Sequence, residues 1–329
     1  MNQYSFDRIK ILVTSGCNLR CTHCYQHFDK NKFCLIKEQV CALVDFGIEH
    51  NVRIIDFSGG EFFVHPSAYE IIDYCYEKKL EVNIATNGTC VDVNKFKKYD
   101  CCDFLTIQVS LDGLQEKHES RRGEGTWDKV MHTVEALREI GIKVTANMVL
   151  DCDNYLDALS VLQLPQFSEI FFTPIAYVGA AADRGIADNL ADYEEFVCQL
   201  LKKFVYDDDE FNKQIFPYVL AVRYDGGVYI SPMASDYELL CIGNINNETI
   251  DDICKKYYNS KDFKKLHNID VSSIQKCSSC SVVHLCGRGN RLRALKFFGD
   301  IMAPDPFLCR IYLDEYKDIP VGKLFWGIQ

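Results

Sequence analysis

Two hydrophobic rhythms alternate along the first half of the chain. Short apolar runs at Ile9 to Thr14, Arg53 to Ser58, Glu81 to Ala85, Phe104 to Ser110, Lys143 to Leu150 and Glu169 to Thr173 read as six strands. Between them, apolar residues recur at helical spacing. Val40, Leu43, Val44, Gly47 and Ile48 share one face of Lys37 to His50. Ala68 to Glu77 repeats the pattern, and Thr126 to Ile140 buries Trp127, Val130, Met131, Val134 and Leu137. Strands separated by helices require parallel pairing with right-handed crossovers, so the expected fold is α/β, a partial (β/α)6 barrel. In such folds ligands sit at the carboxyl ends of the strands. The unusual loops of this chain all fall there: a cysteine loop after the first strand, Gly59-Gly60-Glu61 after the second, Thr86-Asn87-Gly88 after the third and Leu111-Asp112-Gly113 after the fourth.

The rhythm then changes. Tyr193 to Phe204 reads as a helix, and Asp207 to Glu210 as a solvated acidic boundary. Val222 to Ile230, with Asp225-Gly226-Gly227 inside it, reads as a β-hairpin, followed by short elements. The expected division is a barrel over 1–190, a helical linker over 191–220 and a smaller domain over 221–329. No internal repeat or low-complexity segment interrupts it.

Composition narrows the function classes. The 329 residues are 48% hydrophobic and 25% charged, ordinary for a globular protein. A net charge of −11 argues against nucleic acid as substrate, because phosphate binding needs a basic surface. No apolar run approaches bilayer length, so no membrane partner is expected. The 17 cysteines are an odd number, and Met1 to Asp7 lacks the basic and apolar regions of a secretion signal. A reduced, cytoplasmic setting follows as the expectation, where clustered cysteines hold metal.

Cys17, Cys21 and Cys24 are spaced C-x3-C-x2-C. Three thiolates on one tight loop can ligate three irons of a four-iron cubane, leaving the fourth open to a small molecule. The loop from Cys17 to Tyr25 resembles the cluster loop of the radical SAM superfamily. That resemblance runs from about Ile9 to Pro174 and implies a [4Fe-4S] cluster whose open iron is chelated by S-adenosylmethionine (SAM). It implies that Gly59, Gly60 and Glu61 lie by the methionine amino group, although Phe62 stands where the family usually has proline. It places Thr86 and Asn87 beside the ligand, and Ser110, Asp112 and Arg122 at its ribose and carboxylate. Arginine suits a carboxylate because its planar fork donates two hydrogen bonds. Asn147 and the backbone near Ile175 are implied at the ribose and adenine. His23 is read as packing support rather than a ligand.

A second set, Cys277, Cys280, Cys286 and Cys309, could close another metal site. Zinc is the simplest reading of such a set. The run resembles the SPASM extension of radical SAM enzymes, in a partial, twitch-like form. Asn290 stands where the family has a further cysteine, and Ser231 and Pro232 stand where another follows the hairpin. The resemblance therefore implies one auxiliary [4Fe-4S] cluster with four cysteine ligands, suited to relay electrons. Cys198 and Cys241 are left over, with the core their expected place. No general base is singled out; Asp225, Asp236 and Glu238 are merely near the expected substrate side.

The functional expectation implied by the resemblance is an enzyme that splits SAM to a 5′-deoxyadenosyl radical and installs a cross-link in a ribosomally synthesised peptide. Because Cys17 lies close to the start, the peptide is expected to bind the barrel itself or a separate recognition protein. A flavodoxin or ferredoxin would supply electrons. The alternatives are dehydrogenation of a small alcohol, a sugar-like molecule or a protein side chain, peptide epimerisation, and a zinc-bearing binding module without catalysis.

Overall fold

The computed structural model describes residues 6, 8–26, 33–99, 103–176, 178–183, 190–207, 219–230, 241–261, 269–274, 276–286 and 289–326. Six parallel strands form as the apolar runs require: β1 (Arg8–Leu12), β2 (Ile54–Ser58), β3 (Glu81–Thr86), β4 (Leu105–Ser110), β5 (Lys143–Leu150) and β6 (Ile170–Pro174). In β1 the alternation is plain. Ile9 and Ile11 are fully buried, while Arg8 and Lys10 occupy the opposite face with partial exposure.

Helices α1 (Lys37–Glu49), α2 (Ala68–Glu77), α3 (Gln115–Arg122), α4 (Thr126–Glu139) and the single turn α5 (Ala158–Val161) connect these strands. In α1 the buried face is Val40, Leu43, Val44, Phe46 and Gly47. Ile48, expected on that face, is 38% exposed one residue from the helix end, and Phe46 packs inward instead. One unexpected helix is α3, which has no aliphatic stripe and buries His118 and Arg121.

The hairpin does not stand apart from the barrel. Its strands β7 (Val219–Val222) and β8 (Gly227–Tyr229) carry on the same sheet, with β7 parallel to β1 and β9 (Cys241–Asn244) antiparallel to β8. The nine strands run in the order β6-β5-β4-β3-β2-β1-β7-β8-β9. The C-terminal part adds α6 (Leu190–Asp207), α7 (Ile250–Tyr258), α8 (Arg291–Phe298), α9 (Pro306–Leu313) and α10 (Val321–Trp326). One apolar core extends from Phe6 to Leu324, so α6, α9 and α10 are packed onto the barrel. A smaller core gathers Ile230, Ile269, Ile274, Cys277, Leu292 and Ile301. No helix among the described residues is long and apolar enough to cross a membrane.

Glu194 of α6 is buried where α10 begins. Its Oε2 accepts from the amide of Val321 at 2.7 Å, while Oε1 has no partner among the described residues. Burial pushes this carboxyl up from 4.5 to about 7. The folded state therefore holds a proton that the unfolded chain releases above pH 4.5, and stability declines as pH rises from there to about 7. Glu194→Gln is expected to remove that decline and raise stability at pH 8 by about 2–3 kcal/mol. Denaturant midpoints at pH 5 and 8 measure it; an equal pH slope in both proteins would refute it.

Candidate active site

The loop after β1 carries Cys17, Cys21 and Cys24 and is clamped from three sides. Gly60, just past β2, donates to the carbonyl of Thr14 at 2.7 Å, and Glu61 donates to that of Gly16 at 2.8 Å. A Cβ on Gly60 would lie 2.4 Å from the Gly16 oxygen, so only glycine permits this approach. From the turn Gly179–Asp183 beyond β6, Ala181 donates to the carbonyl of Cys24, and Gly179, at φ +61°, leaves a Cβ position only 2.2 Å from the Tyr25 oxygen. From α3, the carbonyl of Arg121 accepts from the amide of Thr22.

Glu61 is 2% exposed and fully engaged with protein. It accepts from the Phe63 amide (3.1 Å), the Thr86 hydroxyl (2.7 Å) and the Asn87 amide (2.6 Å). It thus ties β2 to β3. Asn87 reaches the cysteine loop itself. Its Nδ2 donates to Asn18 Oδ1 at 2.8 Å and lies 3.8 Å from Cys17 Sγ.

Arg122, at the end of α3, has Nη1 3.9 Å from Cys21 Sγ and donates from Nε to Asp112 Oδ2 at 2.6 Å. The same Asp112 oxygen lies 2.9 Å from His23 Nε2, and Oδ1 accepts from the Val149 amide at 3.1 Å. Burial alone would raise the Asp112 carboxyl. Arg122 and His23 overrule it and hold the group well below the usual carboxylate range. His23 is itself pushed down by burial, against the pull of Asp112, so it is a neutral ring donating to that carboxylate. Asp112 is therefore the base plate of Arg122; it is fully buried and does not line the cavity, a correction to the expected contact. Ile175 is also off the cavity wall: it is fully buried, and its amide donates to the Leu150 carbonyl.

The other expected residues do converge. Gly59, Gly60, Glu61, Thr86, Asn87, Ser110, Arg122 and Asn147 line one cavity of about 700 Å³ with all three cysteines. The Asn147 side chain accepts from Thr173 at 2.9 Å. Residues that the sequence reading did not single out complete the wall: Lys10, Gln108, Arg223, Tyr224, Phe325 and Trp326. Trp326 is fixed by an indole hydrogen bond to the Pro174 carbonyl at 3.0 Å. Asp225 also lines the cavity, but Arg223 binds both of its oxygens at 3.0 Å, so it is no free base. Asp236, Glu238, Ser231 and Pro232 lie outside the described residues.

These residues fit an iron–sulfur cluster. Burial pushes the Cys17 and Cys24 thiols up and that of Cys21 up to about 11, so without a metal they would be protonated. Donors already surround the sulfurs: the Leu19 amide is 3.4 Å from Cys17 Sγ. Among the described residues no three His, Cys, Asp or Glu side chains converge on one ion. A cubane, by contrast, spreads its ligands over separate irons.

Cys277, Cys280, Cys286 and Cys309 lie together: Cys280 raises the Cys277 thiol, both raise that of Cys286, and Cys277 and Cys286 raise that of Cys309. Burial pushes Cys286 and Cys309 up to about 12, and their neighbours add to it. Asp305 organises the surroundings. It caps α9 through the amides of Phe307 and Leu308, accepts from the Asn290 amide at 2.7 Å, and pairs with buried Arg293 at 3.0 Å. Asn290 is itself the N-cap of α8, accepting from Leu292 and Arg293. Its place in the sequence is thus used for a helix start instead of a further ligand. Cys198 is buried as expected, whereas Cys241 is exposed on edge strand β9 rather than in the core.

The family model described as the radical SAM superfamily matches residues 11–162, and the one described as SPASM, an iron–sulfur cluster-binding domain, matches residues 217–281. The chain thus carries a radical SAM domain followed by a SPASM iron–sulfur cluster-binding domain. Fe-coproporphyrin III synthase of Methanosarcina barkeri is 24% identical, over 92% of this chain and 88% of that protein. The subtilosin biosynthesis protein AlbA of Bacillus subtilis is 33% identical, over 41% of this chain and 31% of its own. Among solved structures, Streptococcus suis SuiB bound to S-adenosylmethionine aligns with a TM-score of 0.69 at 14% identity, over 88% of this chain and 74% of that one. The structure named native anSMEcpe with bound AdoMet and Kp18Cys peptide aligns at 0.64 and 19%, over 86% and 89%. These alignments show a shared fold across most of the chain.

Proposed function

We propose that this radical SAM enzyme oxidises a ribosomally made peptide, forming a cross-link. Cys17, Cys21 and Cys24 hold the reactive cluster, and the wall from Gly59 to Asn147 holds SAM. Cys277, Cys280, Cys286 and Cys309 hold one auxiliary cluster. Bound there, these groups supply hydrogen-atom abstraction from an unreactive C–H bond and an acceptor for the remaining electron. The chain's own residues do the rest. Asp112 fixes Arg122 through Nε, which leaves its charge on the cavity wall beside Cys21 to attract a carboxylate. Asn87 orients the cysteine loop. Leu12, Val149, Phe325 and Trp326 give the cavity apolar walls that limit water around a reactive intermediate.

The observation that carries this reading is the single cavity joining the cysteine loop to the β7–β8 turn and the aromatic C-terminal helix. It leaves room beside the loop for a side chain presented from outside. A peptide is favoured by relatives such as AlbA and by the SuiB structure bound to its precursor peptide SuiA. A second reading, oxidation of a tetrapyrrole, has support from the match to Fe-coproporphyrin III synthase along nearly the whole chain.

Mass spectrometry separates them. The reconstituted enzyme is incubated anaerobically with SAM, a reductant and either the peptide products of short neighbouring genes or a porphyrinogen. Loss of two hydrogens from a peptide, absent in a Cys17→Ala, Cys21→Ala, Cys24→Ala variant, is the expected outcome. One deuterium gained from heavy water at constant bond count would mean epimerisation instead. Change in the tetrapyrrole alone would overturn the peptide reading.

A further inference from the structure

The charges that line the cavity are nearly all spoken for. Arg122 is paired with Asp112, Arg223 with Asp225, and His23 with Asp112. Glu61 is saturated by backbone and Thr86, and Arg20 donates to the carbonyls of Cys17 and Leu19. Lys10 is different. It sits in the middle of β1, half-buried, on the strand face that lines the cavity. Among the described residues the structure shows no hydrogen bond or ion pair for its ammonium.

The nearest acid by register is Asp56, opposite Lys10 on β2. That carboxylate is already taken, by Arg8 at 2.9 and 3.0 Å and by Asn83 at 3.0 Å. On the other side, the register partner on β7 is Ala221, which offers no polar side chain. A half-buried ammonium without a partner gives up hydration and gains nothing in return. Arg8 and Asp56 show that this barrel satisfies its interior charges one layer below. Among the described residues Lys10 is left with three unengaged donors on the wall of the cavity a substrate would fill.

We infer that Lys10 is a specificity-determining residue that binds a carboxylate of the substrate. This rests on the cavity being the substrate site, as proposed above. The chemistry required is an anionic oxygen pair reaching into the barrel beyond the cysteine loop. It can come from an acidic side chain of a peptide or from the propionate of a tetrapyrrole. Gln108, Asn147 and Thr173, from the same wall, are neutral and add no competing charge.

The test uses full-length reconstituted enzyme and two pairs of probes. One pair is a pool of acetylated, amidated hexapeptides each containing glutamate, and the same pool with glutamine. The other is coproporphyrin III and its tetramethyl ester. Each is titrated against 5′-deoxyadenosine formation, and the readout is the ratio of half-saturating concentrations within a pair, for each protein separately. The wild type is expected to prefer the carboxylate member of one pair by about tenfold or more, and that pair identifies the source. Lys10→Met should abolish the ratio, and Lys10→Arg should retain it. A ratio that survives in Lys10→Met, or no preference in the wild type for either pair, overturns the inference. Total loss of 5′-deoxyadenosine in the wild type without any probe would instead count against the radical SAM reading beneath it. Comparing ratios keeps a general loss of activity or folding in one variant from imitating the result, and Lys10→Gln provides a second neutral variant.

Discussion

Asp112→Ala is expected to destabilise the protein by about 3–5 kcal/mol, a large share of the stability of a typical domain. Asp112 is fully buried and accepts from Arg122, His23 and the Val149 amide at once. Removing it strands a buried guanidinium and a backbone donor, and both lose water without compensation. Asp112→Asn keeps an acceptor but not the charge, and is expected to recover the Val149 bond while leaving Arg122 uncompensated. Arg122→Leu, by contrast, strands the carboxylate, which can protonate. The order of unfolding midpoints should therefore be wild type, then Asn, then Ala. Because Arg122 is 3.9 Å from Cys21 Sγ, the same variants should also bind SAM more weakly. A midpoint for Asp112→Ala within 1 kcal/mol of wild type would show that the cluster of charges contributes little.

The strands were legible because their apolar residues alternate with polar ones that face the barrel interior, as in β1 and β4, and helices of clear periodicity bound them. The family followed from the cysteine loop and the order of the motifs at the strand ends. What sequence could not supply was direction. Asp112 follows β4 by two residues and was expected to face the ligand, yet donors from β5, α3 and the cysteine loop converge on it from below. Helix α3 escaped notice because its buried residues, His118 and Arg121, are polar and leave no apolar stripe. Lys10 was one more residue in a strand, and Phe325 and Trp326 lie far from the barrel in sequence. Only the packing of α10 against β6 brings those two aromatics to the cavity. Asn290 looked like a missing ligand, and its role as a helix cap is visible only once α8 is seen.

Cys309→Ala should separate the two halves of the proposed chemistry. Cys277, Cys280 and Cys286 come from one loop region, whereas Cys309 comes from α9, so it is the ligand that joins two segments. With two four-iron clusters the wild type holds about eight irons per chain, and the variant should hold about four. The Cys17 loop is built from different elements and should keep its cluster, so 5′-deoxyadenosine should still form. Loss of two hydrogens from the peptide should cease, because the electron left after hydrogen abstraction has no acceptor. The segment around Asp305 and Arg293 should loosen, since metal binding in such a region is also folding energy. Iron and zinc analysis of the wild type decides the matter at the outset: about four irons together with one zinc would assign the second set to zinc and make its role structural. If iron falls by half and oxidation persists, the auxiliary cluster is not the electron's destination.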